Sequence, residues 1–324
     1  MNFKIAPQWW PILLLSSPVL FPLLVIKFFL FLRNRRLASG HNAERVQNAT
    51  PLGMPEVEYV RLSVLVDWKK KRGYLGDAAV SYFLETNLGS LLFDVGHGPE
   101  NPTLTVNAKK MGFDMEAVQA LAISHLHKDH MGGMAAARKK EVMIPEELWN
   151  SDLSRANVEK ICHLPAHATC GHMKTELATS PKILSGGIAT TGPLARSLFF
   201  FGYTEEQALV IRVKDHGLVV ITGCGHPSIE TILSLVRKMS NEPLYAIVGG
   251  LHFPMKTGRG DMGGIRLQRL IGTGKPPWGN ITIKDLHRTA ERINRENPKR
   301  VLLSGHDTDD YALEGFNRCL EAEV

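Results

Sequence analysis

ISHLHKDHMGG, residues 123–133, sets His125, His127, Asp129 and His130 within six positions and follows them with two glycines. If Ala120 to Ser124 is a buried strand and a helix begins at Asp129, the period of two turns His125 and His127 to the same side of the strand end. Asp129 and His130 then sit at the turn. Neutral imidazoles and a carboxylate converging on one small volume suit zinc, manganese or iron. Two or three more ligands from elsewhere would make room for two divalent ions. The bland alternative is a loop of surface histidines, but four strongly hydrated groups have little packing reason to be adjacent.

The same local pattern recurs along the chain. An apolar strand runs into a short Gly-containing loop and then an Asp or His at LLFDVGHG (Asp94), at the histidine stretch, at TGCGHP (His226), at GGLHF (His252) and at SGHD (His306). Loops at the ends of packed strands would meet at one edge of the fold, so the recurrence is stronger evidence than any one motif. Between these loops the alternation predicts a half-buried strand with Leu62, Val64 and Val66 on one face, a strand pair over 80–94 and a hairpin over 206–222. Helices are expected over 104–111, 131–140, 228–239 and 284–294. Residues 141–200 carry the weakest periodicity. They hold Cys162, His163, His167, Cys170 and His172, whose spacing matches no familiar structural zinc pattern, and a segment folded over the cleft is expected there.

The 324 residues include 44% apolar and 22% charged side chains, enough for a well-filled core. The net charge is +6, yet the first 50 residues hold six basic side chains against Glu44 alone, which leaves the remainder at +1. A near-neutral globular part argues against a nucleic-acid groove. Trp9 to Leu32 is apolar except for Lys27 and is followed by RNRR. That length spans about 30 Å of hydrocarbon. A cleaved signal peptide would carry its charge before the apolar run, not after it. The expected organisation is a membrane anchor over 1–36, a linker over 37–55 and a catalytic domain over 56–324. The basic flank expects a single pass with the Trp pair at the far interface and the catalytic domain in the cytoplasm. Four cysteines without a C-x-x-C pair fit a reducing compartment.

The histidine stretch resembles the signature of the metallo-β-lactamase superfamily. The resemblance implies an α/β fold, a four-layer αββα sandwich with a metal site at one edge, here preceded by one transmembrane helix. SYFLETNLGSLLFDVGHG, EEQALVIRVKDHGLVVITGCGHPSI, AIVGGLHF and VLLSGHDTD further resemble a subgroup that includes a pterin-type synthase of methanopterin biosynthesis. By this resemblance His125, His127 and His226 bind one ion, while Asp129, His130 and His306 bind the second. Asp94 orients a metal-binding histidine. Cys224 occupies the place where many relatives carry a bridging Asp, and His252 is a further ligand candidate. The subgroup usually reads His-Cys-Thr-Gly at its last motif, whereas this chain reads His306, Asp307, Thr308, Asp309. That departure brings two carboxylates to the expected cleft mouth and makes Asp307 a candidate ligand.

Two divalent ions, with zinc favoured, and Asp129 as general base imply a metal-dependent hydrolase acting on a small, anionic molecule. A pterin-type transferase or synthase is the alternative, and a non-catalytic binding module a second one. Residues 254–279 interleave glycines and prolines with Lys256, Arg259, Arg266, Arg269 and Lys275. They are expected to form a lid that offers cations to a phosphate or carboxylate.

Overall fold

The structure, a computed structural model, describes residues 3–98, 101–113, 118, 120–133, 162–165 and 175–324, with backbone alone for 162–165 and 175–177. After a short helical turn, Trp10–Leu15, the first long element is α1 (Ser17–Asn48), which carries Pro22 within it. This helix is long and apolar enough to cross a membrane, and Leu15, Phe21 and Phe29 are 83%, 68% and 65% exposed. From Phe31 onward it lies on the body. Asn42 Nδ2 donates to the Ala195 carbonyl at 2.8 Å, and the Ala195 amide returns a bond of 2.7 Å to Asn42 Oδ1. Residues 37–48, read from sequence as part of a linker, are therefore helical and docked. Trp9 is also not at a remote interface, since its indole N–H donates to the Gly263 carbonyl at 2.8 Å. The Ala6 amide bonds Gly264 O and the Arg266 amide bonds Lys4 O, both at 2.9 Å. Both ends of the apolar stretch are thus tied to one body.

The first half forms one sheet, with β1 (Val60–Val66), β2 (Ser81–Thr86), β3 (Gly89–Phe93), β4 (Leu121–Ala122), β5 (Cys162–Pro165) and β6 (Thr175–Ala178) in that spatial order. The expected alternation in β1 fails at Val64, which is 46% exposed, while Leu65 and Val66 are both buried. A register shift between Val64 and Val66 is the cause, because a bulge resets which face each residue meets. Helix α2 (Thr103–Lys110) covers the outside of this sheet, packed on β1. The helix expected over 131–140 begins earlier, as α3 (Lys128–Met131), and residues 134–140 lie outside the described part.

The second half gives β7 (Lys182–Ile183), β8 (Ala189–Thr190), a separate hairpin of β9 (Leu194–Leu198) and β10 (Gly202–Glu206), then β11 (Leu209–Val213), β12 (Gly217–Thr222), β13 (Leu244–Gly249) and β14 (Arg300–Leu303). The second sheet runs β14-β13-β12-β11-β8-β7, with β12, β13 and β14 parallel. Strand β12 is buried along its whole length, as a central strand covered on both faces requires. Its Val219 and Ile221 meet Tyr82, Leu84, Leu91 and Phe93 of the first sheet. Its Leu218 and Val220 face a core shared by α4 (Ile229–Met239), α5 (Ile283–Arg295) and α6 (Asp310–Cys319). The described layers are helix, sheet, sheet, helices, as the αββα reading expects. A capping box between Thr282 and Asp285 starts α5, a device worth about 1 kcal/mol. Leu286, buried completely in that helix layer, would leave a cavity costing about 2–5 kcal/mol on replacement by Ala.

Candidate metal centre

The site forms where strand ends of both sheets meet. β3 delivers Asp94, β4 delivers His125 to His130, and β12, β13 and β14 deliver Cys224 and His226, His252, and His306. Gly223 makes the approach of the two sheets possible, since a Cβ there would lie 2.2 Å from Ser124 Oγ and 3.1 Å from Asp94 Oδ2. No larger residue fits between the strand ends.

Two groups of ligating atoms result. His125, His127 and His226 form one, and Asp129, His130, Cys224 and His306 form the other, with the ligand atoms of each group all within 4.8 Å of one another. His252 groups with Cys224 and His226 by the same measure. His125 Nε2 lies 2.9 Å from His127 Nδ1, and His226 Nε2 lies 3.3 Å from the same atom. Cys224 Sγ lies 3.0 Å from His130 Nε2 and 3.2 Å from His306 Nε2. With metal–nitrogen distances of about 2.0–2.1 Å and tetrahedral angles, ligand nitrogens stand roughly 3.3–3.4 Å apart. The donor set also fits a cation electrostatically. His226 Nδ1 and both ring nitrogens of His252 are buried without a hydrogen bond, a costly state that a cation would relieve.

Partners behind the ligands fix their orientation. His130 Nδ1 is 2.7 Å from Asp94 Oδ2, with both side chains fully buried. Asp94 also accepts from the Ser124 amide and hydroxyl, each at 2.7 Å. It sits at φ 60, a left-handed backbone that non-glycine residues adopt at a cost. Ser304 plays the equivalent part for His306. Its hydroxyl lies 2.7 Å from Nδ1 and donates in turn to Asp67. Glu206 receives the Gly225 and His226 amides at 2.7 and 2.8 Å and so holds the loop that carries two candidate ligands. Asp67, Ser124, Ser304 and Glu206 were not singled out from sequence. Asp67 alone had a signal, since it ends β1 as Asp94 follows β3.

Burial dominates the protonation of the cluster. It lowers His127 to about 4, although Asp129 opposes the shift. Burial and mutual repulsion hold His125 and His226 well below the ordinary imidazole range, and His306 lies below it too. Neutral imidazole is the ligating form. Asp129 is kept below the usual carboxylate range despite burial, chiefly by His130. For His130 burial pulls down, but Cys224, Asp129 and Asp94 together raise it. Burial pushes Glu206 up to about 7.

Two expectations need correction. Asp307 and Asp309 are not at a cleft mouth, being 1% exposed each. Asp307 accepts from the His252 amide at 2.9 Å and Asp309 caps α6 through the Ala312 amide at 3.0 Å, so both pin backbone. Asp307 falls in neither ligand group and instead lies 3.5 Å from His252 Nδ1. Three of the five cations of 254–279, Arg259, Arg266 and Arg269, are spent on backbone carbonyls rather than offered by a lid. Arg259 Nε donates to Gly305 O at 2.9 Å, and Arg266 and Arg269 donate to Lys256 O at 2.6 and 3.0 Å. The Cys/His-rich segment 162–172 lies outside the described residues except for the backbone of Cys162–Pro165.

Residues 75–147 match the sequence profile of the metallo-beta-lactamase superfamily. The chain is 23% identical over 229 residues to the 7,8-dihydropterin-6-methyl-4-(beta-D-ribofuranosyl)-aminobenzene-5'-phosphate synthase of Methanocaldococcus jannaschii, covering 59% of this chain and 75% of that one. It is 30% identical over 98 residues to the anti-Pycsar protein of Bacillus phage vB_BsuM-Goe3, covering 26% of this chain and 35% of the phage protein. Among solved structures, a metal-dependent hydrolase of the beta-lactamase superfamily superposes with a TM-score of 0.54 at 20% identity, covering 82% of this chain and 95% of that one. The chain thus has the metallo-β-lactamase fold, and its residues 75–147 match the metallo-β-lactamase superfamily.

Proposed function

We propose that this chain is a metal-dependent hydrolase that holds two divalent cations, zinc by preference and manganese or iron as alternatives, and acts on a small anionic molecule. One observation carries the reading: two ligand groups from three separate loops lie side by side, His125, His127 and His226 in one and Asp129, His130 and His306 with Cys224 in the other. Divalent cations held there would lower the pKa of a water toward about 7 and polarise the oxygen of a scissile ester. The chain's own groups supply the rest. Asp129, ionised at neutral pH and a quarter exposed at its side chain, serves as proton acceptor. Asp94 and Ser304 engage Nδ1 of His130 and His306, so that Nε2 of each is the atom turned into the ligand group. His127 is half-buried, with the Phe201 ring 4.8 Å from its own.

The apolar part of α1 is proposed to hold the protein at a membrane, with the catalytic domain on the cytoplasmic side as the RNRR flank expects. Asp307 acts behind His252 in this reading, as Asp94 acts behind His130.

Elemental analysis of the purified chain, followed by assay against ester, thioester, lactone and phosphodiester substrates, tests the hydrolase. Fewer than about one tightly held ion per chain, unaffected by His127→Ala, would overturn it. The similarity to the archaeal synthase over three quarters of its length favours a second reading, pterin-type transfer. Incubation with a dihydropterin diphosphate and an aminobenzene ribofuranosyl phosphate separates the two, because only a transferase gives the coupled product.

A further inference from the structure

Beside the metal centre, a cleft of about 770 Å³ opens between α1 and the body and is lined by Arg35, Arg196, Lys275 and Arg288 against two carboxylates, Glu230 and Asp285. An adjoining pocket of about 270 Å³ shares Arg196, Lys275 and Arg288 and ends on His226 and His252. The two spaces form one path from the edge of α1 to the candidate ligands. α1 contributes one face to it through Arg35, Ser39, Asn42 and Val46, the three-to-four-residue spacing that aligns side chains along a helix.

Of the three cations shared by both spaces, Arg196 stands apart. Lys275 and Arg288 are paired with Asp285 at 2.6 and 3.2 Å. Glu230 is engaged by the Thr289 hydroxyl at 2.7 Å. The Arg196 guanidinium, by contrast, makes no hydrogen bond or ion pair within 4 Å among the described residues, although it offers five donors. Gly274, at φ 61, lets it pass, since a Cβ there would lie 2.5 Å from Arg196 Nε. Burial and the nearby Arg35 and Arg288 pull its pKa below the usual value. A half-buried fork of donors without a partner among the described residues, set in a cleft with other cations, is a state that a bound anion relieves. α4 adds to this, as it begins at Ile229 with no side-chain cap from Ser228, and both residues line the inner pocket.

We infer that this cleft is the anion subsite of the substrate: Arg196, assisted by Arg35 and Arg288, holds a phosphate group while the bond to be cleaved reaches His226 and His252. The assignment of the inner end rests on the metal-centre reading, whereas the anion site itself does not. Two sources present that chemistry, a soluble phosphoester and the headgroup of an acidic lipid in the surface on which α1 lies.

The test uses the full chain in detergent or nanodiscs, stripped of metal with a chelator so that phosphate cannot bind through cations. Inorganic phosphate and glycerol phosphate are titrated calorimetrically, and binding to phosphatidic acid vesicles is compared with binding to neutral phosphatidylcholine vesicles. Arg196→Gln is expected to weaken phosphate binding roughly tenfold to a hundredfold, with Arg196→Lys restoring part of it. Arg35→Gln, at an exposed position that folding tolerates, is expected to weaken it several-fold. Arg-dependent binding of the soluble phosphates supports the site with a free substrate. An Arg-dependent gain confined to the acidic vesicles supports it with a lipid one. Unchanged binding of all probes in both Arg196→Gln and Arg35→Gln, or no binding by the unaltered chain, overturns the subsite. Neither result touches the metal-centre reading, which metal content and His127→Ala decide separately.

Discussion

Asp94 and His130 form a pair with 2.7 Å between Oδ2 and Nδ1, and neither side chain is exposed to solvent. The carboxylate accepts the Nδ1–H hydrogen bond, which turns Nε2 toward Asp129 and Cys224 as the ring's ligating atom. Asp94→Asn keeps the shape but removes the charge that fixes the tautomer. A loss of about 10–100-fold in affinity for one of the two ions is expected. Competition against a chromogenic chelator measures it, and unchanged affinity would show that the pair is only structural.

The two ligand groups lose cations independently. His127→Ala removes a side chain from the group of His125 and His226, and His306→Ala one from the group of Asp129, His130 and Cys224. Each variant is expected to hold about one ion fewer per chain, and the double variant none tightly. Plasma emission analysis after dialysis gives the count. A single substitution that releases both ions would point to one shared centre instead.

Gly223 is where the two sheets come closest at the site. Ala at this position drives a Cβ to 2.2 Å from Ser124 Oγ, so either that hydroxyl or the strand end must move. A loss of about 1–3 kcal/mol in stability is expected, together with weaker metal binding, because Ser124 and Asp94 orient His130. Chemical denaturation of the metal-free chain separates the two effects. Full stability with full metal affinity would show that the strand ends have more room than the geometry allows.

The strand-end residues are legible because each follows an apolar run in a segment that also holds glycine, a local signal that reports where a strand stops. Asp67 and Ser304 are not, since their link to His306 joins residues distant in sequence. The hairpin of β9 and β10 escaped notice because Leu194, Ala195, Ser197 and Leu198 are all buried, which erases the alternation by which strands are read. That hairpin carries Arg196, Phe201 and Glu206. Residues 37–48 look like a tether because small Ala38 and polar Asn42 make the contacts of α1, leaving no apolar stripe. Asp307 and Asp309 were placed at the cleft mouth because carboxylates are usually wet, yet here each accepts backbone amides that would otherwise be orphaned.

Stability of the metal-free chain should depend on acid. His127 titrates at about 4 in the fold, against 6.5 when unfolded, so the unfolded chain takes up the proton first as pH falls. Stability is therefore full above about 6.5 and declines as pH falls toward 4, by at most about 1.4 kcal/mol per pH unit for each such histidine. His125, His226 and His306, shifted the same way, steepen the decline. Glu206 acts in the opposite direction. Its pKa of about 7 in the fold exceeds the ordinary 4.5, so its protonated form favours the fold and that contribution fades as pH rises toward 7. Denaturant midpoints across pH 4–8 with and without His127→Ala give the histidine share. A variant with the same acid slope as the parent would remove His127 from the account.

The placement of the apolar helix is open to a direct chemical test. Ile5 pairs with Ile265 in an antiparallel bridge, ahead of the apolar stretch, while Asn42 binds Ala195 behind it. A helix crossing about 30 Å of hydrocarbon would leave Ile5 and Ile265 on opposite sides of the membrane. A helix lying along the surface keeps them adjacent, with Phe21 and Phe29 turned to lipid and the body beside the membrane. Antiparallel bridge partners have Cα atoms about 4.5–5.5 Å apart, within the range a disulfide closes. Ile5→Cys with Ile265→Cys should therefore cross-link under mild oxidation in membrane-bound protein, while either single variant should not. Cross-linking in detergent but not in membranes, with the two cysteines labelled from opposite sides, would mean that the helix crosses and that the contacts of residues 4–9 are given up on insertion.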